Sequence, residues 1–185
     1  MRGRQTERGQ TLIEVAMACA IMVVIFGAGL SISVETQKTW DHVYKDTGAV
    51  HSLREGLALL AADLATSAPD QVTVVAGEDH DTLLFRVPVA IAGDDLTWGA
   101  GGEAAYSIRV SVQGGDLVRQ VLDGDDQPVG PSRILVSDVD GLHDGAKGFA
   151  ASVSGTLCTV TARVESQSNG RTWRKAATTA VQMRN

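Results

Sequence analysis

A single carboxylate, that of Glu14, lies at the front of an apolar segment that carries no other charge from residue 15 to residue 34. A carboxylate costs about 2.5–3.5 kcal/mol at the centre of a membrane helix and less toward the helix end. A glutamate in a membrane helix is rarely without a partner. We therefore expect Glu14 to form a charge pair with a cationic group. Such a pair would serve binding rather than catalysis.

The other residues with catalytic potential show no arrangement typical of an active site. The four histidines, His42, His51, His80 and His143, have no metal-ligand spacing. The glycine-rich segment 93–102 lacks the lysine and the following helix of a phosphate-binding loop. The sequence therefore predicts neither enzymatic activity nor a cofactor.

Two acidic segments, DGDD at 123–126 and SDVDGLHD at 137–144, raise the question of calcium binding. Neither has the bidentate acid that an EF-hand loop places at its twelfth position. Asp-Gly pairs are frequent in tight turns. Turn formation is the preferred interpretation, no metal site is predicted, and a calcium ion in these loops stays an open alternative.

The two cysteines indicate no disulfide, because Cys19 lies in the apolar segment and Cys158 in a distant strand-like region. We expect Cys158 and Trp173 to be core residues. The formal net charge is −6, and a cluster of arginines is confined to the first eight residues. An acidic body without a basic stripe argues against nucleic-acid binding. Basic residues before an apolar segment favour retention on the cytoplasmic side of a membrane.

The apolar segment is the first half of a predicted helix. Its twenty uncharged residues, 15–34, are enough to span a bilayer. Beyond it, apolar residues at helical spacing predict that the second half packs on its own domain or, less favoured, on a partner helix. They are Val50, Leu53, Leu57, Leu60 and Leu64, with Trp40, Val43 and Tyr44 on the same general face. Pro69 ends the helix, which we place from about residue 11 to 66.

From Gln71 onward, the apolar pattern changes to the period of two that is typical of strands. Asn169-Gly170 predicts a hairpin turn. Two strands have an apolar face, made of Tyr106, Ile108, Val110 and Val112 in one and of Cys158, Val160, Ala162 and Val164 in the other. Segments 91–103 and 123–132 are predicted exposed loops. The fold class is therefore α+β, with an antiparallel sheet of about six or seven strands on the second half of the helix.

The segment RGQTLIEVAMACAIMVV, residues 8–24, resembles the class III signal of type IV pilins and type II secretion pseudopilins. Such signals have a short basic leader that ends in glycine, followed by an apolar helix with glutamate at its fifth residue. By position, Gly9 ends the leader, Gln10 is the first mature residue and Glu14 is the fifth. The resemblance implies that a prepilin peptidase cleaves between Gly9 and Gln10 and commonly methylates the amine of Gln10. The family usually has Phe or Met where this chain has Gln10.

This resemblance gives the carboxylate a role. Cleavage creates a charged amine on Gln10, which Glu14 of a neighbouring subunit can meet in a bundle of apolar helices. A paired charge is much less costly there than an unpaired one. Misregistered packing separates the two charges, so that the pair sets the register of the helices as well as stabilising them.

The resemblance also implies a domain organisation for the chain and a location in the cell. Residues 1–9 are a leader, 10–34 a transmembrane and assembly segment, 35–68 an amphipathic helix and 69–185 a β-rich globular domain. Fainter similarities, such as DTLLFRV and LVRQVLD, resemble J-type minor pseudopilins and W-type minor pilins. The implied location is the bacterial inner membrane, with the domain outside the cytoplasm, and then a filament near its tip. The implied partners are the peptidase, the major subunit and other minor subunits.

Three alternatives remain open from the sequence. Ser31-Ile32-Ser33 has the small-x-small pattern of an ordinary signal-peptide cleavage site. A plain membrane anchor that carries a periplasmic binding module would form no filament. A competence-type DNA-uptake pilin is also possible, although the acidic body disfavours it.

Overall fold

The computed structural model describes residues 12–92, 95–168 and 171–184. The predicted leader and the Gly9–Gln10 junction therefore lie outside the described residues, as does the Asn169-Gly170 turn. The chain consists of two compact units that divide between Val43 and Tyr44. The class is α+β, with one long N-terminal helix and antiparallel sheets.

The helix, α1, runs over Leu12–Thr66, so the prediction of one helix to residue 66 is confirmed. It stops where the sequence indicated. Ala68, which precedes Pro69, has φ −113° and ψ 155°, an extended conformation that proline imposes on the residue before it. A short 3-10 helix, Pro69–Gln71, then leads into the first strand.

Ten strands follow in the described residues. They are β1 Val72–Val75, β2 Thr82–Phe85, β3 Val87–Ala92, β4 Asp95–Gly99, β5 Ser107–Gln113, β6 Asp116–Leu122, β7 Pro128–Val136, β8 Phe149–Ser154, β9 Leu157–Ser168 and β10 Arg171–Gln182. They form a five-stranded sheet in the order β1-β2-β5-β6-β7, a three-stranded sheet in the order β10-β9-β8 and the two-stranded sheet β3-β4. All the pairings between these strands are antiparallel.

The core lies between the second half of α1 and the two larger sheets. Leu53, Leu57, Leu60 and Leu64 are at most 2% exposed, and the buried cluster to which they belong includes residues of β2, β5, β6, β7, β8, β9 and β10. The predicted packing of this helical stripe on its own domain is thus confirmed. The predicted face of β9 is also confirmed, because Cys158, Val160, Ala162 and Val164 are buried. Of the face predicted around β5, Ile108 and Val110 are buried, while Tyr106 and Val112 are half-buried and pack against the core.

Gly56 explains how closely α1 approaches the five-stranded sheet. A Cβ atom at this position would lie 2.2 Å from the carbonyl oxygen of Leu135 and 2.7 Å from Cγ2 of Val136. Only glycine leaves room for this contact between helix backbone and strand backbone.

Three predictions about the elements are wrong. The described residues form ten strands in three sheets rather than one sheet of six or seven strands. Segment 91–103 is not an exposed loop, since it contains β4 and its residues Gly99 and Ala100 are buried. Segment 123–132 is largely exposed, but its second part belongs to β7. At Asp95 and Gly99 in β4 and at Gly130 in β7, cross-strand pairing overrides the turn preference of aspartate and glycine.

The buried stripe of α1 is also shorter than predicted. Trp40 is 68% exposed, Val43 47% and Tyr44 82%, so none of them extends the buried face. Partly buried packing begins at Ala49, and full burial begins at Leu53. Helical spacing placed these residues on the same face, but spacing does not determine where along the helix burial begins.

Candidate functional site

The first half of α1 presents a long apolar surface. Every residue from 12 to 41 with a described side chain is exposed. The exposed large apolar side chains are Leu12, Ile13, Val15, Met17, Ile21, Met22, Val23, Val24, Ile25, Phe26, Leu30, Ile32 and Val34, at 47–89% exposure. A helix that is apolar all round is stable only when an apolar environment surrounds it.

This helix is long and apolar enough to cross a membrane, and none of the residues in its most apolar stretch is buried within the chain. Soluble proteins rarely expose a continuous apolar surface of this kind unless a membrane or a partner covers it. The surface is therefore a candidate site of insertion, of association, or of both in sequence.

Two hydroxyl groups near the end of this segment form hydrogen bonds within the helix. The Ser31 hydroxyl donates to the Gly27 carbonyl at 3.0 Å, and the Thr36 hydroxyl donates to the Ile32 carbonyl at 2.8 Å. Bonds from Ser and Thr side chains to the carbonyl four residues earlier are available in any solvent. They lower the cost of placing these groups in apolar surroundings.

Glu14 lies in the first turn of α1, on this exposed surface. A carboxylate near a helix N-terminus interacts favourably with the helix dipole, typically by about 0.3–1 kcal/mol. Of the three predicted site residues, the structure places Glu14 alone, since Gly9 and Gln10 lie outside the described residues.

The residues that could suggest other chemistry have local roles. His51 contacts Glu55 one helical turn away, and His143 contacts the adjacent Asp144, in both cases at exposed positions. Among the residues that the structure describes, no three His, Cys, Asp or Glu side chains converge as metal ligands would.

The DGDD segment is a turn held by its own side chain. The Asp123 carboxylate accepts hydrogen bonds from the backbone N–H groups of Asp125, at 2.9 Å, and Gln127, at 2.8 Å. Asp126 adopts a positive φ of 60°. These are the features that favour aspartate in turns.

Both cysteines are free, as predicted: Cys19 is exposed and Cys158 is buried. Burial raises the pKa of the Cys158 thiol, which therefore stays protonated and unreactive at neutral pH. The prediction of a core position is confirmed for Cys158. Trp173 is only half-buried.

A buried ion pair went unnoticed in the sequence. Asp81, whose side chain is 8% exposed, contacts Lys147 Nζ at 2.5 Å through Oδ1 and accepts a hydrogen bond from the Ala151 N–H at 3.1 Å through Oδ2. Burial by itself raises the pKa of this carboxyl. The bond and charge of Lys147, with the N–H groups of Ala151 and Gly77, outweigh burial and hold the pKa of Asp81 below its ordinary value.

Two grooves in the Tyr44–Asn185 unit also lacked a sequence signal. One, of about 820 Å³, is lined by residues 44–52 of α1 and by loop 137–141, and two of its carboxylates, Asp140 and Glu165, are bound by Arg174. The other, of about 700 Å³, lies between residues 50–61 of α1 and residues 175–179 of β10. Each groove joins residues that are more than sixty positions apart, so local spacing contains no trace of it.

Comparison of the chain with models of protein families, with curated proteins and with solved structures finds no match in any of the three. The class of molecule therefore follows from the structure itself. It is an α+β chain whose long N-terminal helix is apolar and exposed in its first half and packed on antiparallel sheets in its second half.

Proposed function

We propose that this chain is a minor pilin or pseudopilin, a structural subunit of a type IV pilus or of a type II secretion pseudopilus. The observation that carries the proposal is the combination of Glu14 with an exposed apolar helix half directly behind it. An apolar helix alone would serve as an anchor. An acid at its front is costly in a bilayer and acquires a use when a cation from a neighbouring helix approaches.

Function then follows in two stages. The first half of α1 resides in the inner membrane, with the β-rich domain outside the cytoplasm. A prepilin peptidase removes residues 1–9, and the amine of Gln10 becomes available to Glu14 of a neighbour. The apolar side chains exchange lipid for one another in the filament, where the charge pair fixes their register.

The β-rich domain supports a minor rather than a major subunit. Major pilins usually close a C-terminal loop with a disulfide, whereas Cys158, the one cysteine of this domain, is buried and free. Together with the similarities in β2 and β6, this favours a J-type minor pseudopilin or a W-type minor pilin near the filament tip.

A second function, a membrane-anchored binding module that forms no filament, is favoured by the two grooves of the Tyr44–Asn185 unit. The two functions make opposite predictions for Glu14. An anchor should tolerate its removal or insert better without it, because a carboxylate is costly in a bilayer.

The first test is the intact mass of the membrane-extracted protein, expressed with and without a prepilin peptidase. The proposal predicts loss of residues 1–9 only when the peptidase is present. An added mass of one methylene group would show methylation of Gln10. The control is Gly9→Leu, which should keep the leader because the peptidase no longer finds its glycine.

Two results would contradict the proposal. A leader retained in both expressions favours the plain anchor. A mass that begins after Ser33 makes the apolar segment an ordinary signal peptide.

A further inference from the structure

Strand β10 is an open sheet edge in the Tyr44–Asn185 unit. It pairs with β9 along its whole length, from Arg171 opposite Ser168 to Gln182 opposite Leu157, without a register shift. Within the described ranges, no strand pairs with its other side. An edge strand of twelve residues presents a row of backbone groups on which another strand can pair.

The other edges of the two larger sheets, β7, β1 and β8, are protected in ways that β10 is not. β7 contains Pro128 and Pro131, and its pairing with β6 shifts register twice. β1 has four residues only. The edge of β8 is occupied, since its Phe149 carbonyl accepts from the Asp81 N–H and its Ala151 N–H donates to the Asp81 carboxylate. Prolines, register shifts, short length and coverage are the devices that prevent edge pairing.

The second half of β10, residues 176–182, has none of these devices. Its sequence AATTAVQ contains no charge, no proline and no glycine. Five of its seven side chains are those of alanine or threonine, which are short and favour the approach of a further strand. Segments with this composition pair readily with other strands.

A groove lies directly beside this edge. Ala58 and Ala61 of α1 and Ala177 and Thr179 of β10 are among its lining residues, and these short side chains leave about 700 Å³ unfilled. Leu57, which is buried, forms part of its apolar wall. A strand added to β10 would direct every second side chain toward this space, because side chains alternate along a strand.

The charged side chains of the groove favour an acidic binding partner. Both charged residues that line it, Arg54 and Lys175, are cations, in a chain with a net charge of −6. Lys175 contacts Asp46 at 3.1 Å, whereas Arg54 is exposed and forms none of the ion pairs between described residues. A second copy of β10 would bring three cations and no acid, and is therefore a poor match.

We propose that β10 accepts an added strand from a different polypeptide: an extended acidic segment whose alternate apolar side chains enter the groove and whose carboxylate pairs with Arg54. Backbone hydrogen bonds supply affinity in this mode of recognition, and the groove supplies specificity. The inference uses residues of the Tyr44–Asn185 unit alone, so it holds whether or not the chain enters a filament.

The experiment measures fluorescence anisotropy of a labelled peptide titrated with the full chain in a non-ionic detergent. The peptide alternates valine with threonine and ends in two aspartates. A second peptide ends in two lysines, and a third has proline at its centre. The first peptide should bind saturably. The lysine peptide should bind about tenfold more weakly, and the proline peptide should lose binding because it lacks a central backbone donor.

Matched variants locate the site. Arg54→Glu should weaken binding about tenfold, whereas Arg133→Glu, at an exposed cation of β7, should leave it unchanged. Ala58→Leu should block the groove, whereas Ala62→Leu, at an exposed alanine of α1 that does not line it, should not. Because both alanines are exposed, neither change disturbs the core.

Three outcomes would overturn the proposal. They are an absence of saturable binding, equal effects of Arg54→Glu and Arg133→Glu, and equal affinity for the proline peptide. A second copy of the chain is the alternative occupant of the β10 edge, and light scattering of the chain in the same detergent tests for it. A dimer that Ala58→Leu dissociates would assign the edge to a second copy instead.

Discussion

The two halves of α1 have the same backbone conformation and opposite surroundings. Between residues 12 and 34 the large apolar side chains are all exposed, whereas Leu53, Leu57, Leu60 and Leu64 are almost fully buried. The first half is apolar on every face, and the second half is apolar along one stripe only. The pattern of apolar residues, more than the helix itself, therefore decides what each half contacts.

This difference predicts that the second half of α1 stabilises the folded domain and that the first half makes contacts outside the chain. Removing an apolar group from the second half should destabilise the domain, because the group belongs to the core shared with the sheets. Removing one from the first half should leave the domain intact and affect only contacts made outside the chain. The first and the last of the predictions below test this division directly.

The largest effect is expected from Leu60→Ala. Leu60 is 1% exposed, and its truncation leaves a cavity that lowers the free energy of unfolding by about 2–5 kcal/mol. The matched change Leu30→Ala, at a side chain 67% exposed, should alter it by less than about 0.5 kcal/mol. Urea unfolding in detergent, followed by tryptophan fluorescence, measures both. Equal losses of unfolding free energy in the two variants would contradict the difference between the two halves of α1.

The next effect is expected from Gly56→Ala. The added Cβ would lie 2.2 Å from the Leu135 carbonyl oxygen, so the helix must move from the sheet, at a cost of about 1–3 kcal/mol. Gly48→Ala, where nothing lies within 4 Å of the new Cβ, should instead stabilise by about 0.5–1 kcal/mol. Thermal unfolding of the two variants should therefore shift in opposite directions, and a common direction would contradict the close contact.

A smaller, pH-dependent effect is expected from Asp81→Asn. The pKa of Asp81 is lower in the folded chain than its ordinary value of 3.8, so its contribution is present above that value and is lost as the pH falls through the lower folded one. The variant should lose about 2 kcal/mol at neutral pH, since Lys147 is left without its anion.

Urea unfolding at neutral pH and near pH 3 measures this loss, which should shrink in acid. Asp125→Asn, at an exposed turn position, provides the control and should show neither loss nor pH dependence. A deficit of Asp81→Asn that stays constant with pH would rule out a role for the charge of Asp81.

The parts of this structure that were predictable are those with local causes. The end of α1 follows from Pro69, and the buried faces of β5 and β9 follow from alternation. Strand β4 was missed because its Asp95 and Gly99 favour turns, and its pairing with β3 overrides that preference.

The candidate site divides in the same way. Glu14 and the apolar segment are adjacent in sequence, so their combination is visible without a structure. The Asp81–Lys147 pair joins residues 66 positions apart, and the β10 groove joins the second half of α1 to the last strand. Such juxtapositions depend on the whole topology, which no local pattern encodes.

The most direct test of the account measures how much Glu14→Ala chain enters the sheared filament fraction of cells that express the peptidase. Glu35→Ala is the matched control, since Glu35 is also an exposed glutamate of α1 and lies beyond the apolar segment. The account predicts that Glu14→Ala is still cleaved after Gly9 but is lost from filaments, while Glu35→Ala enters them as the unaltered chain does. Equal entry of the two variants would contradict an assembly role for Glu14.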